Sequence, residues 1–125
     1  MLDAIGIICE DLPTSIEFYK CFGLEFNSFG DNQEHWEATT PSGTRIMLDS
    51  VNLMKSIQPD FSKKTGNSIA LAFKVDAPDT VDNMVNELVA LGGKVTKTPF
   101  DAFWGQRYAN IEDPDGNPID IFADT

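Results

Sequence analysis

The sequence has few basic residues, little cysteine, a single histidine and no long apolar run, and each shortage excludes a class of protein. Nine lysines and arginines stand against 20 aspartates and glutamates, and the formal net charge is −11. This balance argues against nucleic acid and anionic membrane surfaces as partners, because both attract basic patches. No run of about 18 apolar residues occurs, so the sequence predicts no transmembrane segment.

The scarcity of cysteine and the start of the chain bear on the compartment. Residues 1–3 lack the basic segment of a secretion signal, so Cys9 and Cys21 are interpreted as reduced thiols of a cytoplasmic protein. A hydrophobic share of 42% in 125 residues suits one globular domain with a core. The acidic surplus either serves solubility alone or attracts a cationic ligand through the field of the whole protein.

The stretch from residue 104 to 122 has the clearest pattern and predicts a β-hairpin. Two runs with β-forming residues flank the turn 113–116 (D-P-D-G), where proline presets φ and glycine supplies the left-handed conformation. In the second run Ile119 and Ile121 alternate with Asp120, which places the carboxylate on the opposite face. That carboxylate either points to water or lines a site.

Hydrophobic periodicity predicts two helices, at 12–22 and 78–91, each stopped by glycine. Residues 51–66 contain proline, glycine and a lysine pair without a clean period, so we interpret them as a linker with at most one helical turn. The predicted order is β-α-β-β-β, linker, β-α-β-β-β. The predicted strands are 4–9, 24–29, 34–40, 44–49, 68–75, 94–98, 107–112 and 117–122.

The two halves of this order repeat one unit. The pattern P-x-G-x-x-I-x-(aliphatic) occurs at 41–48 and again at 114–121, and the first strands align as 4–7 with 68–71. The predicted fold class is therefore α+β, with two βαβββ modules whose curved mixed sheets surround a concave groove. The predicted boundaries are module 1 at about 1–50, the linker at 51–66 and module 2 at 67–125, within a single domain of 1–125.

Three segments resemble the vicinal oxygen chelate (VOC) superfamily, which includes glyoxalase I, extradiol dioxygenases and bleomycin-resistance proteins. They are 11–24 (D-L-x-x-S-I-E-F-Y-x-x-F-G-L), 104–109 (W-G-Q-R-Y-A) and 113–120 (D-P-D-G-N-P-I-D). The resemblance covers essentially the whole chain and implies the glyoxalase-like fold and a homodimer whose grooves are shared between subunits. It leaves the activity open, because one fold hosts many chemistries.

In metal-dependent members of that superfamily, the ligands come from the first and last strand of each module. The internal repeat places these positions at Ala4, Met47, Ser68 and Asp120. Alanine and methionine offer nothing to a divalent cation and serine is a poor ligand, whereas a catalytic metal generally needs about three protein ligands. We therefore expect neither a metal nor another cofactor. The one histidine, His35, is expected to be exposed at the surface.

These observations favour a metal-independent small-molecule binding protein, similar to bleomycin-resistance proteins, that sequesters a cationic or aromatic compound. The acidic charge suits a cation, and a cation over an indole ring gains about 0.5–2 kcal/mol. The alternative roles of the two tryptophans are structural, in the hairpin for Trp104 and in the core for Trp36. The predicted ligand-binding residues are Phe103, Trp104, Tyr108, Trp36, Arg45, Met47, Ser68 and Asp120.

An enzyme of the lyase, isomerase or dioxygenase-like kind, with a non-standard active site, is the alternative function. No constellation of nucleophile, base and orienting group occurs, so no catalytic residue is assigned. Three roles stay open for Arg45: it binds a substrate carboxylate, it is a solvated strand arginine, or it pairs with the nearby Asp49. A regulatory subunit that binds a metabolite is a third hypothesis, which the sequence does not separate from the first. The candidate acid–base or anion-binding groups are Tyr19, Tyr108, Arg45, Glu37 and Asp120.

Overall fold

The computed structural model describes residues 1–125 and contains two four-stranded sheets and three helices. The chain divides into an N-terminal unit, Met1–Lys64, and a C-terminal unit, Thr65–Thr125. The N-terminal unit contains β1 (Ala4–Cys9), α1 (Leu12–Lys20), β2 (Asn27–Phe29), β3 (Asn32–Thr39), β4 (Arg45–Ser50) and α2 (Val51–Ile57). The C-terminal unit contains β5 (Leu71–Lys74), α3 (Pro78–Ala90), β6 (Lys94–Ala102), β7 (Gln106–Glu112) and β8 (Pro118–Asp124).

The two sheets have the same topology. The strand order is β1-β4-β3-β2 in the N-terminal sheet and β5-β8-β7-β6 in the C-terminal sheet. In both, the first strand pairs with the last in parallel and the other neighbours are antiparallel. The α+β class and the repeated βαβββ order predicted from the sequence are thereby confirmed. None of the three helices has the length and hydropathy of a membrane-spanning segment.

Helix α1 begins where the sequence signals predict. Asp11 is its N-cap, and its carboxylate accepts a hydrogen bond from the Thr14 amide at 3.2 Å, which satisfies one of the free amides of the first turn. Phe18 and Tyr19 are fully buried, and burial of each such side chain stabilises the fold by about 1.5–3 kcal/mol. Tyr19 thus belongs to the core of the N-terminal unit.

Helix α3 covers the C-terminal sheet with one apolar face. The face consists of Val81, Met84, Val85 and Leu88, which are buried at helical spacing. On the face of the sheet that α3 covers, alternate residues are buried in β7 from Ala109 onwards and in β8 from Ile119 onwards, as expected for a sheet with one covered face. The buried strand residues are Ala109, Ile111, Ile119, Ile121 and Ala123.

We call the side of each sheet that carries its buried apolar residues the core face, and the opposite side the distal face. In the N-terminal sheet, Ile46 and Leu48 lie on the core face and Met47 on the distal face. In the C-terminal sheet, Ile119 and Ile121 lie on the core face and Asp120 on the distal face. The candidate functional groups are positioned by this alternation.

Several predicted boundaries are wrong, and local packing explains two of them. The predicted linker contains α2, which Ser50 caps by accepting a hydrogen bond from the Leu53 amide at 3.0 Å. Strand β6 continues through Pro99 to Ala102, because it is an edge strand and proline there removes no ladder bond from the sheet. The predicted strands 24–29 and 68–75 shrink to β2 and β5.

Candidate functional site

Five aromatic side chains lie together at one end of the C-terminal sheet. Register pairs Tyr108 with both Phe100 and Phe122, so these three rings share the distal face. Tyr108 stacks on Phe122 with 5.6 Å between ring centroids and 15° between planes, and Trp104 meets Tyr108 edge-on at 5.5 Å. Phe103 in turn contacts Trp104 at 5.0 Å. We call these five residues the aromatic cluster.

The cluster is fixed in position but only partly covered. Trp104 is 50% exposed and Phe103 is 96% exposed. The Trp104 indole nitrogen donates to the Gln106 side-chain oxygen at 2.7 Å, and the Gln106 amide donates to Asp124 at 3.1 Å. Adjacent large aromatic residues in water forgo the stabilisation that burial provides, and exposed aromatic patches commonly mark binding surfaces.

Asp120 lies beside the cluster on the same face. Its carboxylate accepts hydrogen bonds from the Tyr108 hydroxyl at 2.8 Å and from the Asn110 amide at 2.7 Å. Burial, together with the hydrogen bond to Asp120, raises the pKa of Tyr108 to about 12, so the phenol keeps its proton at neutral pH. Because both donors are neutral, neither of them offsets the negative charge of the carboxylate, which remains available to attract a cation.

The distal face of the N-terminal sheet carries charged groups instead of rings. Register aligns His35 with Asp49 and Glu37 with Met47 across β3 and β4. One ring nitrogen of His35 contacts Asp49, and the other lies 3.0 Å from Glu37. The side chain of His35 is only 18% exposed. The prediction of an exposed histidine is therefore wrong, because cross-strand pairing turns His35 towards two carboxylates.

These contacts set the charge state of His35. Burial acts to lower its pKa, but the hydrogen bonds to Glu37 and Asp49 and the charges of both carboxylates outweigh burial and raise the pKa above its usual value of 6.5. The hydrogen bond from His35 and the nearby charge of Arg45 lower the pKa of Glu37. Only the imidazolium form carries N–H donors on both ring nitrogens, so the protonated ring satisfies both carboxylates.

Arg45 is engaged by carboxylates of its own unit. One terminal nitrogen donates to Glu37 at 2.7 Å and the other donates to Asp3 at 2.7 Å. The expected pairing with Asp49 is wrong, because Asp49 instead holds His35. With both terminal nitrogens in ion pairs, Arg45 can bind a substrate carboxylate bidentately only if these pairs break.

The structure divides the predicted ligand-binding residues among four places. Phe103, Trp104, Tyr108 and Asp120 lie together in the C-terminal unit, as described above. Arg45 and Met47 share the distal face of the N-terminal sheet, with 3.8 Å between a guanidinium nitrogen of Arg45 and the Met47 sulfur. Trp36 pairs with Leu48 and thus lies on the core face. Ser68 is exposed in a bend before β5.

The register of β5 also corrects the alignment of the two units. Gly6 pairs with Met47, and Ala72 pairs with Asp120. Gly6 therefore corresponds to Ala72, and two residues earlier Ala4 corresponds to Ala70 instead of Ser68. The sequence alignment missed this shift because short apolar runs match each other in several registers.

The residues at the four positions do not fit a divalent cation. Ala4 and Ala70 have no donor atom, and the Met47 thioether lies against the Arg45 guanidinium. Each oxygen of Asp120 already accepts a hydrogen bond. Nowhere in the chain do three or more histidine, cysteine, aspartate or glutamate residues group in a way that could hold a metal ion.

Some residues of the candidate site escaped the sequence analysis. The sequence could have revealed Phe122, because it follows Asp120 by two positions in a strand and must share its face. Phe100 lies beyond the predicted strand 94–98, and Asn110 lies on a strand next to that of Asp120, so their contacts depend on register between strands. His35 and Asp49 are brought together in the same way.

Comparison with known families and structures identifies the architecture. Residues 1–121 match the family described as "Glyoxalase/Bleomycin resistance protein/Dioxygenase superfamily". None of the curated proteins compared with the chain gives a significant match.

Three solved structures illustrate the shared fold. A glyoxalase/bleomycin resistance protein/dioxygenase family enzyme from Burkholderia phytofirmans PsJN is 23% identical, with a TM-score of 0.84 over 99% of this chain and 98% of that chain. A glyoxalase-related enzyme from Fulvimarina pelagi is 24% identical, with a TM-score of 0.84 over 99% and 88%. A glyoxalase/bleomycin resistance protein from Albidiferax ferrireducens T118 is 20% identical, with a TM-score of 0.75 over 98% of both chains. At such identities the likeness establishes the fold alone.

Proposed function

Because the chain belongs to the glyoxalase/bleomycin resistance protein/dioxygenase superfamily, we propose that it is a metal-independent binding protein that sequesters a cationic aromatic small molecule. The ligand lies on the distal face of the C-terminal sheet, against the aromatic cluster and close to Asp120. The observation that carries this proposal is the pair of exposed aromatic side chains, Phe103 and Trp104, which connect through the Tyr108 ring to a carboxylate whose two hydrogen-bond donors are neutral.

The cluster and the carboxylate supply complementary parts of the recognition. A flat ring stacks on or against the edges of Trp104 and Phe103 and covers apolar surface that is now in water. A positive charge on that ring gains about 0.5–2 kcal/mol over an aromatic face and is attracted by Asp120. The ammonium of Lys97 lies 4.5 Å from the centre of the Phe100 ring, so this ring of the cluster already makes a cation–π contact within the chain.

Metal independence follows from the donor set. A Lewis-acid mechanism requires side chains that hold the ion, and the four positions supply two alanines, a methionine next to an arginine, and one aspartate already engaged by two hydrogen bonds. We therefore propose that the protein binds its ligand without changing it. Metal analysis of the purified protein tests this point, and about one tightly bound Ni²⁺, Zn²⁺ or Fe per chain contradicts it.

The binding proposal is tested by nuclear magnetic resonance with 1-methylquinolinium, a flat aromatic cation. Backbone amide signals of Tyr108 and Phe122 are followed during titration, because they remain observable when Trp104 is replaced. We expect saturable shifts, weakened by high salt because exposed charges are screened. Quinoline, which is neutral at pH 7 and of nearly the same shape, is expected to bind more weakly.

Trp104→Ala is the decisive variant, and Phe29→Ala is its matched control. Phe29 is also a largely exposed aromatic residue, 68% exposed, but it lies in the N-terminal unit. Loss of the indole contact is expected to weaken binding by about 2- to 30-fold, whereas Phe29→Ala leaves the affinity unchanged. Equal affinities in the two variants would show that Trp104 has only a structural role.

We also propose that the protein forms a homodimer, by analogy with the superfamily to which it belongs. Sedimentation equilibrium at micromolar concentration tests this directly. A mass of about two chains supports the dimer, and a mass of one chain over the whole concentration range contradicts it.

An enzymatic function is the second candidate, and the contacts of His35 favour it. Asp49 holds one ring nitrogen while the other faces Glu37, so the ring is oriented. When a substrate displaces the contact between His35 and Glu37, the imidazolium can donate its proton to the carbonyl oxygen while the Glu37 carboxylate accepts the proton of the neighbouring carbon. The test is proton exchange in heavy water with a panel of compounds that carry hydrogen next to a carbonyl group. Exchange in the native protein that His35→Gln abolishes supports this function, and absence of exchange across the panel contradicts it.

A further inference from the structure

Trp36 borders a cavity that the proposed site does not use. The cavity lies within the N-terminal unit between α1, the segment 24–26 and strands β2 and β3, and its volume is about 760 Å³. Such a volume falls in the range of about 300–1,000 Å³ that small-molecule pockets occupy. Its apolar walls are formed by Leu12, Pro13, Ile16, Phe26 and Trp36.

The cavity exists because the sheet is wider than the helix that covers it. Helix α1 directs Phe18 and Tyr19 into the core, whereas Ile16, on another side of the helix, is only half-buried. Residues 24–26 are not part of a strand, and β2 has only three residues. The edge of the sheet next to β2 is therefore left partly uncovered, and the indole of Trp36 is accessible there.

The polar groups of the cavity favour a particular kind of ligand. Glu17 and Glu25 contribute two negative charges, and the one positive charge, on Lys20, lies 3.4 Å from Glu17 in an ion pair. Glu25 thus leaves the lining with a net negative charge. The Trp36 indole nitrogen already donates to the Gln33 carbonyl at 3.0 Å, so the indole contacts a ligand through its ring and not through its N–H group.

We propose that this cavity is a second small-molecule site, which binds a flat apolar organic cation with its ring against Trp36 and Ile16 and its charge towards Glu25. The site shares no residue with the aromatic cluster, because all of its lining residues belong to the N-terminal unit. Its apolar walls from Leu12, Ile16 and Trp36 lie on the helix side of that unit's sheet. A single chain consequently binds two molecules of one ligand class, each reported by a different tryptophan.

The two tryptophans make the sites separable in one experiment. In a ¹⁵N-labelled sample each indole N–H group gives its own signal, so titration with 1-methylquinolinium reports Trp36 and Trp104 independently. In the Trp104→Ala variant we expect the Trp36 indole and the amides of Ile16 and Phe26 still to shift and to saturate. In the native protein, absence of a shift at the Trp104 indole alone contradicts the proposed function and leaves the cavity proposal intact. Absence of a shift at the Trp36 indole alone contradicts the cavity proposal and leaves the proposed function intact.

Variants of the cavity test the predicted contacts. Glu25→Gln removes one charge at almost constant size and is expected to weaken binding at Trp36 about 1.5- to 5-fold at low salt. Asp60→Asn is the matched control, because Asp60 is an exposed carboxylate of the same unit that does not line the cavity. Ile16→Trp fills the cavity and is expected to abolish the Trp36 response, while circular dichroism verifies that α1 is retained.

Three outcomes overturn the proposal. The first is the absence of any Trp36 shift at millimolar 1-methylquinolinium in the native protein. The second is an equal or larger response to 1-naphthoate, an anion of similar shape, which contradicts the charge assignment. The third is coverage of the cavity by a second copy of the chain, seen as Trp36 and Ile16 signals that shift on dilution together with a fall in sedimentation mass to one chain.

Discussion

The two units share a topology and differ on their distal faces. On the core faces the side chains correspond closely, with Ile46 and Leu48 in one unit and Ile119 and Ile121 in the other, all at most 4% exposed. On the distal faces Met47 corresponds to Asp120, and an ionic network around His35 corresponds to the aromatic cluster. Close packing favours aliphatic residues at these fully buried positions of the core faces, whereas the distal faces are free to acquire different chemistry.

The comparison therefore separates residues that build the repeated unit from residues that distinguish the copies. Changes on a core face are expected to cost folding free energy in either unit. Changes on a distal face are expected to alter binding or pH dependence with little loss of stability. Substitutions on the core and distal faces of the two units test this difference.

Ile121→Ala is expected to lower the free energy of unfolding by about 2–5 kcal/mol, because it leaves a cavity beneath α3 at a fully buried position. Phe103→Ala, which removes a larger side chain that is 96% exposed, is expected to change stability by less than about 0.5 kcal/mol. Urea unfolding followed by circular dichroism measures both. Similar losses in the two variants would show that Phe103 is buried in solution, for example by association.

Asp113→Ala is expected to lower the free energy of unfolding by about 1–3 kcal/mol. The Asp113 residue is only 3% exposed, and its carboxylate accepts three hydrogen bonds at 2.9 Å, from the backbone amides of Asp115 and Asn117 and from the Asn117 side chain. Removal of the carboxylate leaves these donors without their partner. The measurement is again the unfolding free energy.

The matching turn of the N-terminal unit supplies the control. In both turns a glycine amide donates a hydrogen bond to the backbone carbonyl three residues earlier, Gly43 to Thr40 and Gly116 to Asp113, each at 2.9 Å. Both glycines have positive φ. Thr40, however, makes only one side-chain bond, to Ser42 at 3.0 Å near the surface. Thr40→Ala is therefore expected to lower the free energy of unfolding by less than Asp113→Ala does. The reverse order would contradict this comparison of the two turns.

The smallest effect concerns pH and the N-terminal unit. The pKa of His35 is raised in the folded state, so the stability contributed by His35 is fully present below its ordinary pKa of 6.5 and is lost as the pH rises through the folded value. The pKa of Glu37 is lowered, so its contribution is present above its ordinary value of 4.5 and is lost as the pH falls. The network is consequently expected to stabilise the protein most between about pH 4.5 and 6.5.

His35→Gln separates this contribution from the titration of the other carboxylates. We expect the stability difference between the native protein and the variant to shrink from pH 6 to pH 9, as measured by urea unfolding in matched buffers. Tyr108→Phe serves as a control from the C-terminal unit, since the Tyr108 phenol keeps its proton throughout this range. A difference that is constant or that grows with pH would contradict the assigned charge state of His35.

Most of the fold could be predicted from local patterns. The capping residue Asp11, the apolar face of α3 and the D-P-D-G turn each lie where the sequence indicates, because these signals act over a few neighbouring residues. The boundaries of β5 and β6 could not be predicted, since strand ends depend on which partner strand is present to pair.

Less of the candidate site could be predicted. The alternation in 119–122 correctly separates Asp120 from its neighbouring isoleucines. Phe103 and Trp104 are candidates from the sequence alone, because aromatic rings suit a cationic or aromatic ligand. The expected exposure of His35 was wrong, and Trp36 lies on a different face from Arg45 and Met47. Each of these outcomes depends on register between strands that are apart in the chain.

By itself, the sequence determined the order of the strands and of helices α1 and α3, the repeated unit, the turns and the lack of oxygen or nitrogen ligands in the side chains of Ala4 and Met47, because these depend on residue identity and short-range periodicity. Only the tertiary structure decided that Tyr108 and Asn110 bind Asp120, that His35 lies between two carboxylates and that Trp36 borders a separate cavity. The physical reason is that the pairing of distant strands is set by how the whole sheet packs against its helix.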